Sequence, residues 1–146
     1  MKRKILIIII TFFLTNSFSQ TKSSFNKINP DSCVGFNCGD GFNSKIVANF
    51  SEILAKKDYK KIVSYLDSKK EGEKLLAVLV CEKLAKEKIM VLSAENIERI
   101  KLIYKSKEKI TVCAGCTHFK KSTTTEILNT PNFVHLFFEK WILNYL

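Results

Sequence analysis

Cysteine is the side chain in this sequence whose spacing most clearly suggests chemistry. There are five cysteines. Four fall in glycine-bearing stretches as two close pairs, Cys33-Val-Gly-Phe-Asn-Cys38 and Cys113-Ala-Gly-Cys116, and the fifth, Cys81, falls inside an apolar run. Three chemistries use such spacing. Loop cysteines form disulfides in an oxidising compartment. Two close pairs together can make a four-thiolate zinc site. A C-x2-C pair can also act as a redox dithiol, provided that a helix N-terminus lowers the pKa of its first thiol. Here Cys113 follows the β-branched stretch Ile110-Thr111-Val112, and residues 118–125 have little helical period, so no helix is expected to begin at the pair. Thr117 stands where haem attachment would require histidine.

Structural disulfides are therefore expected at Cys33, Cys38, Cys113 and Cys116, with no metal and no cofactor. Proximity favours local bridges, 33–38 and 113–116, and these are the expected pairs. Crossed bridges would staple the N-terminal arm to the segment before the last helix. They would stabilise more, by roughly 4 kcal/mol in the chain-entropy model, because they close a longer loop. Cys81 reads as a buried free thiol acting as a small hydrophobe.

Other catalytic groups are sparse. The two histidines, His118 and His135, read as a loop residue and a residue on the polar arc of the last helix. No nucleophile-elbow, zinc-protease or phosphate-loop motif occurs. Glu82 and Glu87 lie among lysines, as in i,i+4 surface pairs. An enzyme is accordingly the less favoured class.

The start of the chain points to export. Lys2, Arg3 and Lys4 precede an apolar run from Ile5 to Leu14, interrupted by Thr11, and Ser17-Phe18-Ser19 offers small residues before Gln20. This is the three-part pattern of a secretory signal over residues 1–19. The run is about half the ~20 residues a spanning helix needs, so no integral membrane span is expected after cleavage. The expected location is periplasmic or extracellular, where oxidation competes with zinc binding for thiols. Removing three cations lowers the net charge from +10 to +7. Arg99 is then the one arginine left, the other cations being lysines, which are poor readers of phosphates and base edges. Nucleic acid is not an expected partner.

The elements that position these residues read as helices. An irregular arm rich in Ser, Asn and Gly covers residues 20–43, and a helical domain covers 44–146. Asn43 or Ser44 can cap a first helix carrying Ile46, Val47, Phe50, Ile53 and Leu54, and Asp58 can cap a second. The third, near Glu73 to Lys88, is apolar on most of its circumference, as a buried central helix is. Ser93 caps a fourth with Glu95 in its first turn, and Thr130-Pro131 reads as the start of the last. On that last helix Val134, Phe137, Phe138, Trp141, Ile142 and Tyr145 share one arc. Phe133, Leu136 and Leu143 fall among polar residues and form a candidate interaction surface.

The rhythm of amphipathic helices over residues 58–104, with Glu73-Lys-Leu-Leu-Ala-Val-Leu-Val-Cys-Glu-Lys-Leu84 as an inner helix, resembles the helical pairs of HEAT-like repeat proteins, though without the proline usual in the first helix of a pair. The resemblance implies a stacked scaffold for binding rather than catalysis. The expected fold class is therefore all-α, a single small domain of about five helices, HEAT-like or an irregular bundle, with disulfide-tied loops. Its expected function is an exported, non-catalytic protein-binding or scaffold domain, with another protein as partner. The alternatives are a thiol–disulfide redox protein using Cys113 and Cys116, and an inhibitor or immunity-type protein against a secreted enzyme or toxin.

Overall fold

A computed structural model describes residues 33–38, 41–114 and 118–146. The signal-like segment, most of the arm and Cys116 lie outside these residues.

The fold is mixed, not all-α. A three-stranded sheet, β1 (Cys33–Phe36), β2 (Lys109–Ala114) and β3 (His118–Thr123), stands in the order β1-β2-β3. β2 and β3 are antiparallel neighbours, whereas β1 and β2 run parallel. A parallel pair needs a long crossover connection. Here that crossover holds α1 (Lys45–Ala55), α2 (Tyr59–Ser64), α3 (Glu71–Lys86) and α4 (Ala94–Ile103). The helices read as a HEAT-like stack thus join two strands of one sheet. After the sheet come α5 (Thr124–Asn129) and α6 (Phe133–Ile142).

Local chemistry sets the helix starts. Ser44 Oγ accepts from the backbone N–H of Val47 and caps α1. It also accepts from the N–H of Gly35, at 3.1 Å, which ties the end of β1 to the start of α1. Asp58 and Ser93 cap α2 and α4 in the same way. Lys57 and Lys88, both with left-handed backbone, end α1 and α3. The last helix begins later than Thr130-Pro131 suggests. Asn132 is its cap, because Thr123 and Glu126 form a capping box that starts the extra helix α5 just before it.

α3 is the centre of the core. Leu75, Leu76, Ala77, Val78, Val80, Cys81 and Leu84 are all fully buried on it. The sheet covers one side of this core with Val34, Phe36, Ile110 and Val112. α6 closes it: the Phe36 ring lies 5.5 Å from that of Trp141, whose indole N–H donates to Ser51 Oγ of α1 at 2.9 Å.

The sheet has a second face. Residues directly paired across strands point the same way, and neighbours along a strand alternate. Cys33, Gly35, Thr111 and Cys113 therefore point away from the core, and Cys33, Cys38 and Cys113 form a small buried cluster of their own, packed against Phe119.

Candidate functional site

Two places concentrate chemistry. The first is the cysteine cluster. Cys38 is bonded to Cys113, 75 residues apart, so the bridge is a crossed one and the local 33–38 pair does not form. The sheet is the reason. Gly35 pairs with Cys113 in register, and a Cβ on Gly35 would fall onto the sulfurs of Cys113 and Cys38. The missing side chain leaves the space in which the turn after β1 brings Cys38 over β2. Cys33 is buried and unbonded, with its Sγ 3.5 Å from Cys113 Sγ. Burial pushes its thiol up to about 11. Bonded sulfurs cannot serve as thiolate ligands, and among the described residues no group of three or more Cys, His, Asp or Glu could hold a metal ion. Cys81 belongs to the main core instead, unbonded.

The second place is a cleft of about 690 Å³ where α3, α4 and α5 meet. Leu92, Ile97 and Ile100 give it an apolar floor, and Lys101, Lys105 and Lys107, all exposed, line it as well. Its one acidic group is Glu82 of α3. Glu82 makes no i,i+4 surface pair. It accepts a 2.8 Å hydrogen bond from the hydroxyl of Tyr104, the residue that caps the end of α4. Burial holds Glu82 above the ordinary carboxylate range, with the tyrosine bond offsetting part of that rise. Burial and the adjacent carboxylate push the Tyr104 hydroxyl up in turn. Glu87, by contrast, pairs with Lys83 at i,i+4.

A smaller cleft of about 220 Å³ shares Glu82 and Tyr104 with it. His135 lines it, with its Nδ1 buried and without a hydrogen-bond partner. Burial lowers the pKa of this ring, and Glu139 nearby opposes the change. Lys83 Nζ, bonded to Glu139 at 2.6 Å, joins α3 to α6 at the same spot.

The three residues read as a candidate interaction surface differ in exposure. Leu136 and Leu143 are 57% and 64% exposed, whereas Phe133 is half-buried against the core and lines a different cleft, of about 420 Å³, beside β3. The Glu82–Tyr104 cleft is absent from the sequence-based expectations. A tyrosine closing the Ile97–Ile100–Ile103 stripe was the signal that could have found it, because a half-buried hydroxyl needs a partner. His118 begins β3. Comparison with protein families, with curated proteins and with solved structures finds no match to this chain.

Proposed function

We propose that this chain is an exported protein-binding domain and that the cleft between α3 and α4 is where its partner docks. Export is supported by the signal-like residues 1–19 and is compatible with the Cys38–Cys113 disulfide. Among the described residues no helix is long and apolar enough to cross a membrane.

The observation that carries docking is the make-up of the cleft. An apolar floor at Leu92, Ile97 and Ile100 lies beside Lys101, Lys105 and Lys107, within a volume that suits one large side chain and its neighbours. The fitting partner is a protein segment with an apolar anchor flanked by carboxylates. Burying an anchor of leucine size contributes roughly 1.5–3 kcal/mol. The lysines add attraction that speeds encounter and weakens with salt. Glu82, held by Tyr104, offers an acceptor to a backbone N–H of the segment.

The test is capture of partners by the mature protein from the exported fraction, under non-reducing conditions, with two variants alongside. Ile97→Asp should reduce recovery of the specific partner about tenfold or more, as loss of a central anchor does. Lys105→Glu/Lys107→Glu should slow association and flatten its salt dependence. A partner held equally well by the wild type and both variants would refute docking at this cleft.

A further inference from the structure

The docking cleft does not use the cysteines on the outer face of the sheet, yet their arrangement has a chemistry of its own. In the parallel register Cys33 pairs with Thr111 and Gly35 with Cys113, so Cys33 and Cys113 are diagonal neighbours on one face. Cys113 carries the bond to Cys38, and the free Sγ of Cys33 lies 3.5 Å from Cys113 Sγ, close to the contact distance of two sulfurs. A thiol so placed has a disulfide sulfur as its immediate neighbour.

We propose that Cys33, Cys38 and Cys113 form an internal thiol–disulfide exchange site in which Cys113 is shared between two alternative bonds. The thiolate of Cys33 attacks Cys113 Sγ. The Cys33–Cys113 bond forms as the Cys38–Cys113 bond breaks, and Cys38 departs as a thiolate that takes up the proton Cys33 gave away. One disulfide and one thiol stand on each side of the step, so neither oxidant nor reductant is consumed. The two bonds enclose 75 and 80 residues, and closing them restricts the unfolded chain almost equally. Local geometry, not loop length, therefore sets the balance. Burial keeps the Cys33 thiolate scarce, which makes the exchange slow.

The exchange moves a staple. Cys38 is bridged to Phe42 by two backbone hydrogen bonds, at 2.8 and 3.2 Å, and its disulfide straps that bridge to β2. Cys33 belongs to β1, which the sheet already holds against β2. Moving the bond to Cys33 keeps the sheet tied while it frees the Cys38–Phe42 bridge from β2, with the Phe42 side chain 73% exposed.

Disulfide mapping tests this. The oxidised full chain is held in mildly alkaline buffer, trapped with acid at intervals and digested at low pH, and the bridged peptides are identified by mass. The wild type should show the Cys38–Cys113 bridge and, growing with time, the Cys33–Cys113 bridge, at a rate independent of protein concentration. Cys33→Ser should show the first alone, and Cys38→Ser the second. If Cys38→Ser does not fold, the wild-type time course decides by itself. A wild type that keeps only the Cys38–Cys113 bridge at every time overturns the proposal. So does a rate proportional to protein concentration, or a folded Cys38→Ser chain in which Cys113 stays reduced or pairs with Cys116.

Discussion

Tyr104 donates its hydroxyl proton to Glu82 at 2.8 Å, bridging the end of α4 to the middle of α3. The bond fixes a carboxylate whose burial outweighs the help it receives, so its pKa in the fold lies above the ordinary value of 4.5. Such a group binds its proton more tightly folded than unfolded. Stability therefore rises as pH falls through the folded pKa, and the gain is complete below the unfolded one. Glu82→Gln keeps an acceptor for Tyr104 and removes the charge. Its melting temperature should equal or exceed that of the wild type at neutral pH, and the difference should close as pH falls toward about 4.5. Glu71 has the opposite sign. Burial pushes it up, but bonds from Lys74, Ser106 and Thr124 bring it below the ordinary range, and its contribution is lost in acid. It is common to both proteins and drops out of the difference. A gap that widened in acid would mean that the fold stabilises the Glu82 charge.

Gly35 should tolerate no side chain while the disulfide is present. A Cβ there meets both sulfurs of the Cys38–Cys113 bond, although Gly35 itself lies in an ordinary strand. Overpacking of this kind costs about 1–3 kcal/mol, so Gly35→Ala should lower the denaturation midpoint accordingly. In a Cys38→Ala/Cys113→Ala background the same change should cost much less, leaving only the 3.3 Å approach to the Cys113 carbonyl. The quantity to measure is the coupling between the two changes in urea melts. Additive effects would place the sulfurs elsewhere than over Gly35.

Much of the helical part can be read from local signals. Ser44, Asp58 and Ser93 are short-range caps, and the apolar residues that follow each one need no distant partner to declare a helix. The sheet offers no such signal. β1 has four residues, and its hydrogen-bonding partner, Thr111 to Ala114, lies about half the chain away. β3 reads as polar because Lys120, Lys121 and Ser122 occupy its middle. Only β2, with Ile110, Thr111 and Val112, looks extended, and an extended stretch without partners does not reveal a sheet. The choice between local and crossed disulfides is not legible for the same reason, since the strand register is what sets Cys38 over Cys113. Glu82 misled in another way. Its sequence neighbours are lysine and cysteine, but its partner comes from the next helix, and only packing brings them together.

Among the described residues two cysteines, Cys33 and Cys81, are unbonded; they sit in different structural layers, and their reactivity should separate those layers. Cys81 lies on α3 with no exposed surface, at the centre of the main core. Burial, with the charge of neighbouring Glu82 adding to it, pushes its thiol up to about 12. Alkylation needs both access and thiolate, and Cys81 gains both only when the core opens. Cys33 lies on the outer face of a three-stranded sheet, in a small cluster packed against Phe119. Smaller openings reach such a site, because peripheral elements unfold locally at lower free energy than the core. With excess alkylating reagent under native conditions, Cys33 should be modified before Cys81. Labelling of Cys81 should be slower, and its dependence on low concentrations of urea should match the slope of global unfolding, whereas that of Cys33 should be shallower. Equal rates and equal slopes at the two cysteines would mean that sheet and core open as one cooperative unit.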